Sequence, residues 1–271
     1  DAPPEIIDRP TGEAPALIRG AFVFKQASFT YPGAVVPALS DLNFSIERGE
    51  SIGIVGRVGS GKSTLLKLCT RLLELNEGSV ELDGVPIDSY ALAQLRSQIA
   101  QVLQDPFLFG EALAANISYD DPERALDLIW DAADAAALRE TVLTFPEQMS
   151  TLVGERGVTL SGGQKQRTTL ARGLIRNAPV LILDDCFSAV DTETEEHILS
   201  RLKRLRAGKT TILVSHRVST LRHTDRILVL EGGRLMESGS HVALLAKGGL
   251  YAELERLQTQ GQRSDYEPEL V

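Results

Sequence analysis

The sequence predicts an α/β protein, a largely parallel sheet flanked by helices with a helical subdomain inserted into it. Three observations predict this. Short β-type runs at Ala21–Phe29, Ser51–Val55, Val180–Leu183, Thr211–Val214 and Ile227–Leu230 alternate with helix-like segments, the pattern of an α/β sheet. Val180–Leu183 is apolar throughout, as a strand covered on both faces is. Between about Glu111 and Arg176 the strands vanish, and Ala125–Leu138 carries Ala and Leu with charges at helical spacing.

Composition narrows the function. The 271 residues are 43% hydrophobic, enough for a substantial core. With 28 basic and 37 acidic residues the formal charge is -9, which excludes wrapping nucleic acid on a broad cationic face, so any phosphate recognition is local. Cys69 and Cys186 are the only cysteines, and the four histidines lack ligand spacing; a reduced, cytosolic, zinc-free protein is expected. No run reaches the roughly 18 to 20 apolar residues of a spanning helix. The chain begins without Met on a Pro- and acid-rich stretch, Asp1–Pro15, and reads as a piece of a longer protein. Gly261–Val271, after the helix-like Tyr251–Gln258, has little to bury and reads as a disordered tail.

Ser51–Val55 reads as a buried strand running into Gly56-Arg-Val-Gly59-Ser60-Gly61-Lys62-Ser63, and the apolar helical run Thr64–Leu73 follows. Strand, Gly-rich loop and helix stand in the order a phosphate loop requires. The glycines let backbone N–H groups turn inward, and the helix points its positive end at the same anion. Lys62 is then placed for the β- and γ-phosphates of ATP, and the Ser63 hydroxyl for a bridging Mg²⁺. Val180–Leu183 delivers Asp184 at a strand end, where it would hold the magnesium through water. Asp185 follows, where a carboxylate orients the attacking water or takes its proton.

Leu160-Ser161-Gly162-Gly163-Gln164, continuing as Lys-Gln-Arg, lies about twenty residues before the acidic strand. In this order and spacing it resembles the signature motif of ABC ATPases. Ser161 and the Gly162 and Gly163 amides precede a helix reaching about Ile175, a second anion-ready helix terminus. The resemblance implies a P-loop NTPase core of ABC type with an antiparallel β subdomain and an inserted helical subdomain over about 111–176. It covers about Phe22 to Gln258, within an ATPase domain at 21–260, a linker at 1–20 and a tail at 261–271. It also implies that two domains meet head to tail, each signature closing over the ATP of the other.

Position by position, Tyr31 resembles the aromatic that stacks on adenine, with Thr64 completing the ATP-binding set. A half-buried strand aromatic is the less favoured alternative for Tyr31. Gln104 resembles the loop glutamine that touches magnesium or water and senses the transport domain. Asp191, in Ser188-Ala-Val-Asp191, resembles the dimer-interface aspartate and also suits an N-cap for Thr192–Leu205; both roles are compatible. His216 resembles the switch histidine that contacts the γ-phosphate.

Thr151–Gly157 resembles the segment by which exporter-type domains contact their membrane helices, and Glu5–Asp8 resembles the join to the last of them. The resemblance therefore implies a half-transporter at the cytoplasmic face of the plasma membrane, whose transmembrane domain lies outside this chain. One position departs from the family, since Asp185 stands where glutamate is usual. Aspartate is shorter by about 1.5 Å, and misplacement on that scale lowers a rate by about a hundredfold. A slow site beside an intact signature is expected of one half of a heterodimer whose partner carries the glutamate. A soluble ABC ATPase without a membrane partner, and a module that senses nucleotide without turnover, are the alternatives.

Overall fold

The computed structural model describes residues 6–8, 14–154 and 158–264, with side chains described as far as residue 260. Phe22–Phe29 (β1), Leu39–Ile46 (β2), Glu77–Leu82 (β4) and Val85–Pro86 (β5) form an antiparallel sheet in the order β2-β1-β4-β5. Ser51–Gly56 (β3), Ile99–Val102 (β6), Val180–Asp184 (β7), Thr210–Val214 (β8), Arg226–Glu231 (β9) and Arg234–Gly239 (β10) form a second sheet. Its order is β10-β9-β3-β8-β7-β6, and only the edge strand β10 runs antiparallel.

The two-residue alternation of strands divides the core. Leu181, Leu183, Leu213, Ile227 and Val229 pack on one side with Leu113, Ile129 and Leu170. Their neighbours Val180, Ile182, Ile212, Val214, Leu228 and Leu230 pack on the other with Phe22, Phe24, Leu39 and Leu65. Both faces are covered, which is why Val180–Leu183, Ile212–Val214 and Ile227–Leu230 run apolar without alternation.

The helices are Lys62–Cys69 (α1), Leu92–Ser97 (α2), Leu113–Ile117 (α3), Leu126–Ala135 (α4), Arg139–Leu143 (α5), Gly162–Ile175 (α6), Thr192–Leu205 (α7), Val218–Leu221 (α8), His241–Lys247 (α9) and Leu250–Ser264 (α10). Helices α3 to α6 lie between β6 and β7, where the described residues form only isolated bridges. Among the described residues no helix is long and apolar enough to cross a membrane.

Three helices differ from expectation. The run expected to reach Leu73 stops at Cys69: Thr70 Oγ1 bonds back to Leu66 O (3.2 Å), and Arg71 takes φ 49°. That turn sends the Arg71 guanidinium to Tyr90 O, Ile7 O and Glu74. The expected 125–138 helix breaks where Ala137 takes φ 53°, and α5 starts two residues later. Helix α10 continues past Gln258 into the stretch expected as a tail, and residues 265–271 lie outside the described residues. So do Glu5 and 155–157 of the two segments that resemble membrane-domain contacts.

The chain ahead of β1 is bonded to the body. Gln98 pairs with Ile18 N–H and Ala16 O, and Asp83 accepts from the N–H groups of Arg19, Gly20 and Ala21.

Candidate nucleotide site

At the carboxyl end of β3 the chain turns over the start of α1, with Ser60 N–H donating to Arg57 O (3.1 Å). Gly61 sits at φ 97°, and a Cβ there would stand 2.6 Å from Ala38 O and from the Leu39 side chain. Only glycine meets both demands. Gly59, at φ 80°, faces open space in which a Cβ meets nothing within 4 Å, so the loop leaves a cradle above the helix. Lys62 is 6% exposed. Its Nζ donates to Gly56 O (2.8 Å), Arg57 O (3.0 Å) and Ser60 Oγ (3.4 Å). Burial lowers its pKa, opposed by the charges of Asp185 and Asp184.

Gly59, Ser60, Gly61, Lys62, Ser63, Thr64, Tyr31, Gln104, Asp184 and His216 line one open cleft of about 430 Å³. It opens at the carboxyl ends of the parallel strands, where α/β sheets bind ligands. Tyr31 closes one end, with its hydroxyl 3.1 Å from Thr64 Oγ1 and its ring set edge-on to Phe29. At the other end Asp184 leaves β7 with a raised pKa, first because it is buried and next because Asp185 lies beside it.

A buried carboxylate whose ionised form is penalised, an exposed Ser63 hydroxyl and the Gln104 amide make an all-oxygen donor set. Such a set fits a hard divalent cation that completes its shell with phosphate oxygens and water. No group of three His, Cys, Asp or Glu side chains gathers for a metal among the described residues.

The sign of the Asp184 shift gives a stability prediction. A raised carboxyl pKa means the fold favours the protonated form, so its ionised form costs stability increasingly as pH rises above the ordinary carboxylate range. At neutral pH Asp184→Asn is therefore expected to raise the melting temperature by a few degrees while abolishing the effect of magnesium on nucleotide affinity. Paired thermal melts and titrations with and without Mg²⁺ check it.

Asp185 is not among the residues lining the cleft. It takes φ 44°, its N–H donates to Val214 O (2.9 Å), and its Oδ1 accepts from His216 N–H (3.3 Å). Aspartate enters this left-handed region more readily than longer side chains.

The signature residues stand apart from the cleft. Ser161 caps α6, its Oγ accepting from Gln164 N–H (3.3 Å) while Gln164 Oε1 accepts from Ser161 N–H (2.9 Å), a capping box. Gln164 thus has a local task that the signature reading does not supply. A Cβ on Gly163 would come 2.7 Å from Ala189 O, so the loop 188–191 packs directly on this helix start. Gln166 fixes that loop, donating to Ser188 Oγ and accepting from Ala189 N–H, both at 2.8 Å. Asp191 remains exposed and caps α7 through Thr194 N–H (2.9 Å); that bond is the main reason its pKa is lowered.

Other contributors carry no motif. Arg217 bonds Glu195, Ser188 O and Val190 O, joining the loop after β8 to the loop before α7. Buried Glu195 also accepts from Thr220. The sequence does not mark this network: Glu195 is one of three glutamates near the start of α7, and its burial appears only in the folded structure.

Phosphate loop, acidic strand end and shared cleft define a nucleotide-binding domain of the P-loop class. A family model described as "ABC transporter" matches residues 39–188. An ATP-dependent lipid A-core flippase of Burkholderia orbicola is 45% identical over 262 residues, 96% of this chain and 43% of that protein. The protein of the same name from Pseudomonas fluorescens is 46% identical over 259 residues, 95% of this chain and 43% of its own length. A solved bacterial Atm1-family ABC exporter with ATP bound matches with a TM-score of 0.88 and 38% identity, over 94% of this chain and 45% of that one. The chain belongs to the ABC transporter family and is an ATPase domain of it. It spans less than half the length of these relatives.

Proposed function

We propose that this chain is the motor of an ABC exporter, working head to tail against a second such domain and slow to hydrolyse ATP in its own site. One observation carries the reading: the Ser161-Gly162-Gly163 start of α6, which resembles the signature motif, is not among the residues lining the cleft that the start of α1 opens on. The α6 start has its use on a nucleotide held by another domain.

In this reading Tyr31 stacks on adenine, and Gly56, Gly59, Ser60, Gly61 and Thr64 shape the phosphate cradle. Lys62 exchanges the loop carbonyls for phosphate oxygens. Ser63, Gln104 and Asp184 hold magnesium, which would neutralise charge on the β- and γ-phosphates. His216 meets the γ-phosphate. Asp185, whose Oδ1 already accepts from His216 N–H and whose side chain is shorter than glutamate's, is poorly placed to serve as base.

The second domain is then the glutamate-bearing half of a heterodimer. A transmembrane domain in the rest of this protein would place the motor at the cytoplasmic face of the plasma membrane. The flippase names of its relatives make an amphipathic lipid the proposed cargo class.

Gly162→Asp in the assembled two-subunit transporter tests this. An acidic first-turn residue suits the helix, and a Cβ at Gly162 meets only Ala189 Cβ at 3.2 Å, so the melting temperature should hold. The added charge would face the partner's phosphate, and turnover should fall by about a hundredfold. Undiminished turnover would contradict the head-to-tail arrangement.

A further inference from the structure

The loop carrying His216 is held by a residue that no motif marks. Helix α10 is anchored where it begins: Glu237 of β10 accepts from the N–H groups of Leu250 (2.8 Å) and Tyr251 (3.3 Å). Tyr251 is fully buried, with its hydroxyl 2.8 Å from His241 Nδ1. Tyr251, Leu254 and Gln258 follow at three- and four-residue spacing and so share a helix face, and Leu254 packs on the core. That anchoring sets the Gln258 side chain against the turn between β8 and α8.

There its amide bonds twice. Nε2 donates to His216 O (2.5 Å), and Oε1 accepts from Val218 N–H (2.8 Å). Asp185 Oδ1 takes the His216 N–H (3.3 Å), so the histidine backbone is gripped through both its polar groups. An amide supplies donor and acceptor together, whereas a carboxylate could only accept. A second tie joins the same helix to the phosphate loop, Arg57 to Glu253 at 3.0 Å; both side chains are exposed, and such pairs contribute little alone.

We propose that Gln258 is a positioning residue for the γ-phosphate contact: through its two bonds, the C-terminal helix sets where the His216 imidazole stands in the cleft. This rests on the reading of His216 given above. Because that contact exists with ATP and not with ADP, the helix tunes how strongly the site prefers the triphosphate.

The test measures equilibrium affinities of the full 271-residue chain for MgATP and MgADP, in His216→Ala, Gln258→Ala, Gln258→Glu and the His216→Ala/Gln258→Ala double variant. Gln258→Ala is expected to lower the ATP-over-ADP preference by about three- to tenfold, the scale of one or two hydrogen bonds, with MgADP affinity changed by less than about twofold. Gln258→Glu, which keeps the bond to Val218 and has nearly the same shape, should fall between. It also serves as the informative variant should the alanine change prevent folding. The double variant should lose no more preference than His216→Ala alone.

An unchanged preference in Gln258→Ala, equal losses for both nucleotides, or additive losses in the double variant would overturn the proposal. If His216→Ala leaves the preference intact, the histidine reading itself fails and takes this one with it. If His216→Ala lowers it and the Gln258 variants do not, only the positioning role fails.

Discussion

Lys62→Ala is expected to weaken MgATP binding by a hundredfold or more. The ammonium is buried beneath the loop and already aims its protons at Gly56 O, Arg57 O and Ser60 Oγ. Burial disfavours its charge, which leaves it ready to take stronger, anionic acceptors. Hydrogen bonds to charged groups contribute about 1.5–3 kcal/mol each, and two such bonds amount to roughly two to four decades of affinity. The same variant leaves Asp184 and Asp185 adjacent without their cation, so its melting temperature should fall, in contrast to Asp184→Asn. Calorimetric titration with MgATP and a thermal melt report both effects, and tight binding by Lys62→Ala would contradict the role assigned to the loop.

The second large effect is a gain. Asp185→Glu should speed cleavage of the γ-phosphate at this site by about ten- to a hundredfold in the assembled transporter, read by single-turnover hydrolysis. The added carbon–carbon bond, about 1.5 Å, extends the reach of the carboxylate toward the attacking water. Two features of the structure oppose the gain. Residue 185 is held at φ 44°, where a longer side chain costs about 1–2 kcal/mol more than one that bonds locally. The bond from His216 N–H to Asp185 Oδ1 would also be disturbed. The faster variant should therefore melt at a lower temperature, and the absence of any rise in rate would show that aspartate already suffices.

What the sequence makes legible is local. Helices α6 and α7 can be placed because Ser161 and Asp191 mark their starts through side-chain caps, and β3 and β7 because continuous apolarity has no other easy explanation. The phosphate loop is legible because its glycines, lysine and serine act within eight consecutive residues.

Features set by distant partners are not legible. Leu72 and Leu73 continue an apolar helical pattern, yet α1 ends before them because Arg71 turns toward Tyr90 and Ile7. The bond that ties Asp185 to His216 joins residues 31 apart, and the one from Gln258 to His216 joins residues 42 apart. A pattern of neighbours carries no trace of either. Thus Tyr31, Lys62, Gln104, Asp184 and His216 do meet in one cleft, while the way their backbones are held there comes from the folded structure alone.

The central claim is that triphosphate and metal sit among Lys62, Ser63 and Asp184, and a crystal structure of this chain with magnesium and a non-hydrolysable ATP analogue tests it most directly. The predicted result is a triphosphate lying on the N–H groups of residues 59–64, Lys62 Nζ turned from Gly56 O onto the β- and γ-phosphates, and magnesium on Ser63 Oγ with Asp184 beside it. Nucleotide bound elsewhere, or a metal that leaves Ser63 and Asp184 untouched, would contradict the account.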